Sequence, residues 1–163
     1  MSLPDAEHLL VVLADQIRPR VGADTALVGL HTGGVWMAQR LHALLGLAQP
    51  IGSLDVSFYR DDYAKRGLAR DTRSSALPFE VEGRHLILVD DVLHTGRTVR
   101  AALNELFDYG RPLRVELAVL VDRGGRELPV APTYCAATLD LPPGQRVKLA
   151  QDGDTLSLRL TGS

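Results

Sequence analysis

Residues 86–98 read LILVDDVLHTGRT, a string that few folds can accommodate. Residues 85–89 (HLILV) form a continuous apolar strand, which suits one covered on both faces at the centre of a parallel sheet. They run into Asp90 and Asp91, then into Thr95, Gly96, Arg97 and Thr98. Beyond that turn Val99, Ala102, Leu103, Leu106 and Phe107 keep helical spacing until Gly110 and Pro112. Strand, acidic pair, hydroxyl-and-glycine turn and helix therefore follow one another directly, and the helix N-terminus has to lie beside two carboxylates.

That juxtaposition suits two parts of one ligand. Backbone N–H groups of Thr95, Gly96, Arg97 and Thr98 would face a monophosphate, the threonine hydroxyls would add donors, and the helix dipole would favour the negative charge. Gly96 permits close approach of the backbone. Asp90 and Asp91 then stand about one sugar away, where carboxylates accept hydrogen bonds from ribose hydroxyls or support a magnesium ion held mainly by the ligand. The same residue types also cap strands and helices, so the complete string carries the reading rather than any one position.

The rest of the chain alternates between the two periods in the manner of an α/β domain. Leu9, Leu10, Leu13 and Ile17 form the apolar stripe of an opening helix that starts near Pro4 and Asp5 and ends near Arg20. Residues 26–30 (ALVGL) form a strand, 31–34 (HTGG) a turn, and 35–45 a helix stopped by Gly46. Residues 54–59 (LDVSFY) alternate as a strand leading into 60–75 (RDDYAKRGLARDTRSS), a stretch too polar to pack inside and long enough to act as a lid. Residues 115–121 (VELAVLV) form another buried strand. Beyond Arg123 the pattern loosens, leaving short strands at 146–149 and 155–160 with a turn at Asp152 and Gly153. The expected architecture is α/β: a central, mainly parallel sheet flanked by helices, with a small antiparallel C-terminal appendage.

Composition limits the function classes. At 163 residues and 45% hydrophobic content the chain is expected to form one domain, residues 1–163, with a core that needs no disulfide. Cys135 is the only cysteine, and no long apolar segment occurs, so a cytoplasmic protein without a membrane span is expected. A net charge of −2 speaks against indiscriminate nucleic-acid binding. Sixteen of the eighteen basic residues are arginine, which suits phosphate and carboxylate recognition as well as an ordinary solvated surface.

Position by position, residues 89–98 resemble the ribose-phosphate signature of type I phosphoribosyltransferases. Residues 54–62 (LDVSFYRDD), 101–112 with their Tyr109-Gly110-Arg111-Pro112 end, and 118–129 (AVLVDRGGRELP) are similar to the pyrimidine operon regulator family, PyrR. The match runs from about Val28 to Pro129. The resemblance implies uracil phosphoribosyltransferase activity: uracil plus 5-phosphoribosyl-1-pyrophosphate (PRPP) gives uridine monophosphate (UMP) and pyrophosphate, with Mg2+ arriving on PRPP. It also implies, for some members, nucleotide-responsive binding to the leader RNA of pyrimidine genes. A homodimer or higher homo-oligomer is expected, with the strand at 54–59 offering apolar surface.

Carried onto this sequence, the resemblance places Thr32, Gly33 and Gly34 in the pyrophosphate loop and Arg60 with the lid closing over it. Many relatives carry arginine where Gly33 stands. His94 replaces a frequent tyrosine at a position where related purine transferases hold an acid; it either assists loss of the uracil N1 proton or only hydrogen-bonds within the phosphate loop. Asp122 and Arg123 form a wall of the uracil pocket at the carboxyl edge of the sheet, and glycine at 125 replaces a frequent histidine. Catalytic roles are thus expected for Asp90, Asp91, His94 and Arg60. The alternative is an attenuation regulator with vestigial catalysis, binding RNA through Arg18, Arg20, Arg111, Arg114, Arg123 and Arg126.

Overall fold

A computed structural model describes residues 2–56 and 75–162. Helix α1 spans Ala6–Ile17, and Asp5 caps it, its Oδ1 accepting the Glu7 N–H at 3.1 Å. Ala6, Leu9, Leu10, Leu13, Ala14 and Ile17 form its buried face. A single 3-10 turn at Arg18–Arg20 follows, with Pro19 at its start. Strand β1 is Ala26–Leu30 and helix α2 is Gly33–Leu45, ended by Gly46 in the left-handed conformation. Then come β2 (Gly52–Leu54), β3 (His85–Leu93), α3 (Arg97–Leu106), β4 (Arg114–Asp122) and β5 (Tyr134–Thr138). A hairpin of β6 (Arg146–Asp152) and β7 (Thr155–Thr161) closes the described chain.

Strands β1 to β5 form one sheet in the order β2-β1-β3-β4-β5, every pair parallel, and β6 and β7 form a separate antiparallel pair. Strand alternation sends side chains to two cores. Ile87 and Val89 of β3 and Ala118 and Leu120 of β4 face α1, α2 and the hairpin. Leu86, Leu88, Leu117 and Val119 face α3 instead. Covered on both sides, β3 and β4 can be continuous aliphatic runs. The chain leaves β1 towards β2 on one side and β3 on the other. The crevice between the carboxyl ends of β1 and β3 is therefore the topological switch point, where open α/β sheets bind ligands.

Several sequence expectations shift. Strand β3 does not end before the acidic pair but continues to Leu93, because Val92 and Leu93 remain paired with Val121 and Asp122. The strand placed at 54–59 is found at Gly52–Leu54, and residues 57–59, with Arg60 and the lid up to residue 74, lie outside the described residues. Leu54 and Val56 are fully buried against the sheet, so these two offer no apolar surface to a partner. Ala76 bridges antiparallel to Ser53 through hydrogen bonds of 2.8 and 2.9 Å. Strand β5 was not foreseen: Cys135, Ala136 and Ala137 are only partly buried and carry no clear alternation. Among the described residues no helix is long and apolar enough to cross a membrane.

Candidate active site

Three glycines bring two loops together at the switch point. A Cβ on Gly34 would lie 2.2 Å from the Val89 carbonyl oxygen, and one on Gly29 would lie 2.6 Å from the Gly34 carbonyl oxygen. Only glycine lets the start of α2 rest directly on β1 and β3. Gly33 faces the acidic pair, since its Cβ would sit 2.8 Å from Asp91 Oδ2. A cis peptide joins His31 to Thr32, and Thr32 is the N-cap of α2 without a capping side-chain hydrogen bond. The start of α2 thus rests against the Asp91 side chain at Gly33, while the Val35 and Trp36 N–H groups turn back to the Thr32 carbonyl.

Asp90 is 3% exposed and Asp91 half-buried. The Asp91 N–H donates to Asp90 Oδ1 at 2.9 Å, and the Val92 N–H donates to Asp91 Oδ1 at 2.9 Å. The second Asp91 oxygen accepts the N–H of Leu149, in β6, at 3.2 Å. The small antiparallel C-terminal appendage expected from the sequence therefore also contributes a hydrogen bond to the site.

At the start of α3 the N-cap is Gly96 with φ +95°, and it has no side chain to close the helix end. The Arg97 N–H reaches Thr95 Oγ1 at 3.2 Å. The Arg97 guanidinium turns away to Glu127, Nε to Oε1 2.9 Å, so the backbone of this residue, not its charge, is available at the turn. Residues 123–130 wrap this loop from outside: the Arg123 N–H donates to the Leu93 carbonyl, and the Glu127 and Leu128 N–H groups donate to the Thr95 carbonyl. Val130 packs over Gly96. The block 118–129 thus scaffolds the turn that opens α3 as well as neighbouring the site.

Asp122 is held by Arg126 through two hydrogen bonds of 2.8 and 2.7 Å, and its Oδ1 also accepts the Gly124 N–H at 2.9 Å. The Arg126 fork keeps the Asp122 carboxyl below the usual carboxylate range, against burial, and Asp122 in turn raises Arg126. Asp122 shapes its loop through these contacts. Arg123 lines the cleft, and its Nε is buried without a hydrogen-bond partner among the described residues.

Asp90, Asp91, His94, Thr95, Gly96, Arg97, Thr98 and Arg123 share one cleft of about 450 Å³. Arg146, Val147 and Lys148 of β6 line it too. The sequence signals these three only by the basic alternation of 146–149, RVKL, within the antiparallel appendage. Gly33 lies against Asp91 and Gly34 against Val89 and Asp90, but neither they nor Thr32 line this cleft, and Arg60 lies outside the described residues. Among the described residues no group of three or more acids, histidines or cysteines could hold a metal ion by itself.

A family model described as a phosphoribosyl transferase domain matches residues 7–137. The bifunctional protein PyrR of Pseudomonas syringae pv. syringae (strain B728a) is 52% identical over 154 residues, covering 92% of this chain and 91% of that protein. Its namesake in Pseudomonas paraeruginosa is 53% identical, covering 91% and 90%. The similarity therefore extends well beyond the segment from Val28 to Pro129. Among solved structures, a hypoxanthine-guanine phosphoribosyltransferase from Bacillus anthracis with HEPES in its active site superposes with a TM-score of 0.69 at 17% identity, covering 89% of this chain and 85% of that one. A purine phosphoribosyltransferase from Pyrococcus horikoshii gives 0.63 at 21%, covering 82% of each. These two share the chain path. By the family model and the extent of identity, the chain belongs to the phosphoribosyltransferase family and, within it, to the bifunctional PyrR proteins.

Proposed function

We propose that the chain is a uracil phosphoribosyltransferase, moving the 5-phosphoribosyl group of PRPP onto uracil to give UMP and pyrophosphate. The observation that carries this reading is the cleft in which Asp90 and Asp91 adjoin an α3 N-terminus left open by glycine. The 5′-phosphate would take the N–H groups of Thr95, Gly96, Arg97 and Thr98, and the ribose hydroxyls would donate to Asp90 and Asp91. Pyrophosphate would lie at Thr32, Gly33 and Gly34, with Arg60 closing over it. Uracil would occupy the Arg123 side of the cleft, where a buried Nε–H awaits an acceptor such as a ring carbonyl.

With every partner so fixed, rate enhancement rests on positioning and on stabilising the charge that develops as the anomeric carbon parts from pyrophosphate. Two carboxylates provide oxygen donors of the kind magnesium prefers, and the ion carried on PRPP would neutralise the leaving group. The test is UMP formation from uracil and PRPP with magnesium. Folded protein that binds PRPP yet releases no UMP overturns the reading.

A second role in transcription regulation accords with the relatives' description as bifunctional. Of the arginines named for RNA contact, Arg18 pairs with Asp15, Arg20 and Arg114 with Glu116, and Arg126 with Asp122. Leader-RNA binding therefore falls chiefly to Arg111 and Arg123 in this chain, and a homodimer would present them in pairs.

A further inference from the structure

His94 is one of the three positions, with Gly33 and Gly125, at which this chain departs from the pattern it resembles, and the turn after β4 packs against it. Its Nδ1 lies 2.9 Å from the Gly124 carbonyl oxygen. A carbonyl only accepts, so Nδ1 bears the hydrogen, and in the neutral ring the lone pair is on Nε2. The imidazole lies over Gly125: a Cβ there would come within 2.7 Å of His94 Cε1 and 2.9 Å of Nδ1. The main chain of His94 is fixed from the same side, its carbonyl accepting from Arg126 Nη1 at 3.1 Å. Arg126 is anchored by the Asp122 fork and by Nε to the Val130 carbonyl at 2.8 Å. Ring, tautomer and backbone are thus all set by residues 122–126.

We infer that Asp122, Gly124, Gly125 and Arg126 form a positioning device that presents His94 Nε2 as the proton acceptor for the nucleobase. The inference rests on the transfer reading above and deepens it. In the step, uracil N1 forms a bond to the anomeric carbon while its proton passes to Nε2. The bond from that carbon to pyrophosphate breaks, its electron pair leaving on the pyrophosphate oxygen, and the imidazolium later returns its proton to solvent. The charged residues that share the cleft with His94 are Asp90, Asp91, Arg97, Arg123, Arg146 and Lys148. The Arg97 guanidinium is paired with Glu127, while Arg126, paired with Asp122, holds the His94 backbone.

Transfer kinetics with uracil and PRPP, beside equilibrium PRPP binding, test the device. His94→Asn keeps a donor for the Gly124 carbonyl and removes Nε2; kcat should fall by about 10²–10⁴ with unchanged PRPP affinity. That deficit should shrink at alkaline pH, where uracil loses its proton unaided, and His94→Ala should regain rate with added imidazole. Gly125→Ala and Arg126→Gln should each lower kcat roughly tenfold in the wild-type chain, as expected for loss of one positioning contact, and hardly at all in the His94→Asn background. Equal losses in both backgrounds, or a His94→Asn chain with wild-type kcat, overturn the inference. A wild-type chain that binds PRPP but makes no UMP removes the transfer reading, and this inference with it.

Discussion

Gly33 and Gly34 are neighbours in sequence, yet a methyl group would meet a different obstacle at each. At Gly34 it would press on the Val89 carbonyl, backbone in the middle of the sheet that cannot yield. Gly34→Ala should therefore cost about 1–3 kcal/mol or more in denaturant unfolding. At Gly33 it would meet the end of the Asp91 side chain, which can rotate. Gly33→Ala should keep stability within about 1 kcal/mol, helped by better helix propensity, while transfer activity falls because Asp91 is displaced. Sequence reading marked both glycines for ligand contact; their unequal packing roles arise from a strand more than fifty residues away. Asp122 shows the same division. Its type and place were legible, but its engagement with Arg126 was not, because an i,i+4 pair outside a helix needs the folded turn.

Among the elements, β1, β3, β4 and β5 are joined at their amino ends by a buried polar chain. Thr25 Oγ1 lies 3.0 Å from His85 Nδ1, His85 Nε2 lies 2.7 Å from Glu116 Oε1, and the Tyr134 hydroxyl donates to Glu116 at 2.8 Å. Arg20 approaches the other Glu116 oxygen at 3.1 Å. Burial pushes the Glu116 carboxyl up, but the hydrogen bonds from His85 and Tyr134 and the Arg20 charge outweigh it and hold it below the usual range. Its stabilising contribution is then present above about pH 4.3 and lost as pH falls through the depressed folded value. Tyr134, raised by burial and by Glu116 to about 12, contributes below about pH 10 and loses that contribution as pH rises towards 12. Thermal unfolding across pH should show both shoulders. Glu116→Ala should abolish the acid one and cost about 3–5 kcal/mol, since it strands buried partners. The hairpin makes a separate case: Leu149 is buried while its neighbour Lys148 is exposed in the cleft. Leu149→Ala should cost about 2–5 kcal/mol. Lys148→Ala should leave stability within about 0.5 kcal/mol and weaken PRPP binding several-fold, read by titration.

For the whole molecule, the engagement of several arginines in internal pairs sets an expectation for nucleic acid. A leader-RNA gel shift should have a shallow salt dependence, reflecting few phosphate contacts, and Arg111→Ala should weaken it without altering UMP formation. Arg123→Ala should affect both, because Arg123 also lines the cleft. A steep salt slope, or an Arg111→Ala chain with unchanged binding, would show that another surface carries the RNA.

The α/β alternation, both central strands and the acidic pair beside a glycine-capped helix were legible in the amino-acid sequence, because each depends on periodicity and turn chemistry within about a dozen residues. Strand β5 and the true extent of β3 were not, since pairing with β4 decides them and local pattern does not. The site divides in the same way. Residues 86–98 by themselves determine a glycine-capped helix start beside two carboxylates. Only the tertiary structure brings Gly33 against Asp91, the Leu149 N–H onto its carboxylate and the 122–126 turn beneath His94, because these contacts join segments from about thirty to sixty residues apart that only the closed sheet brings together.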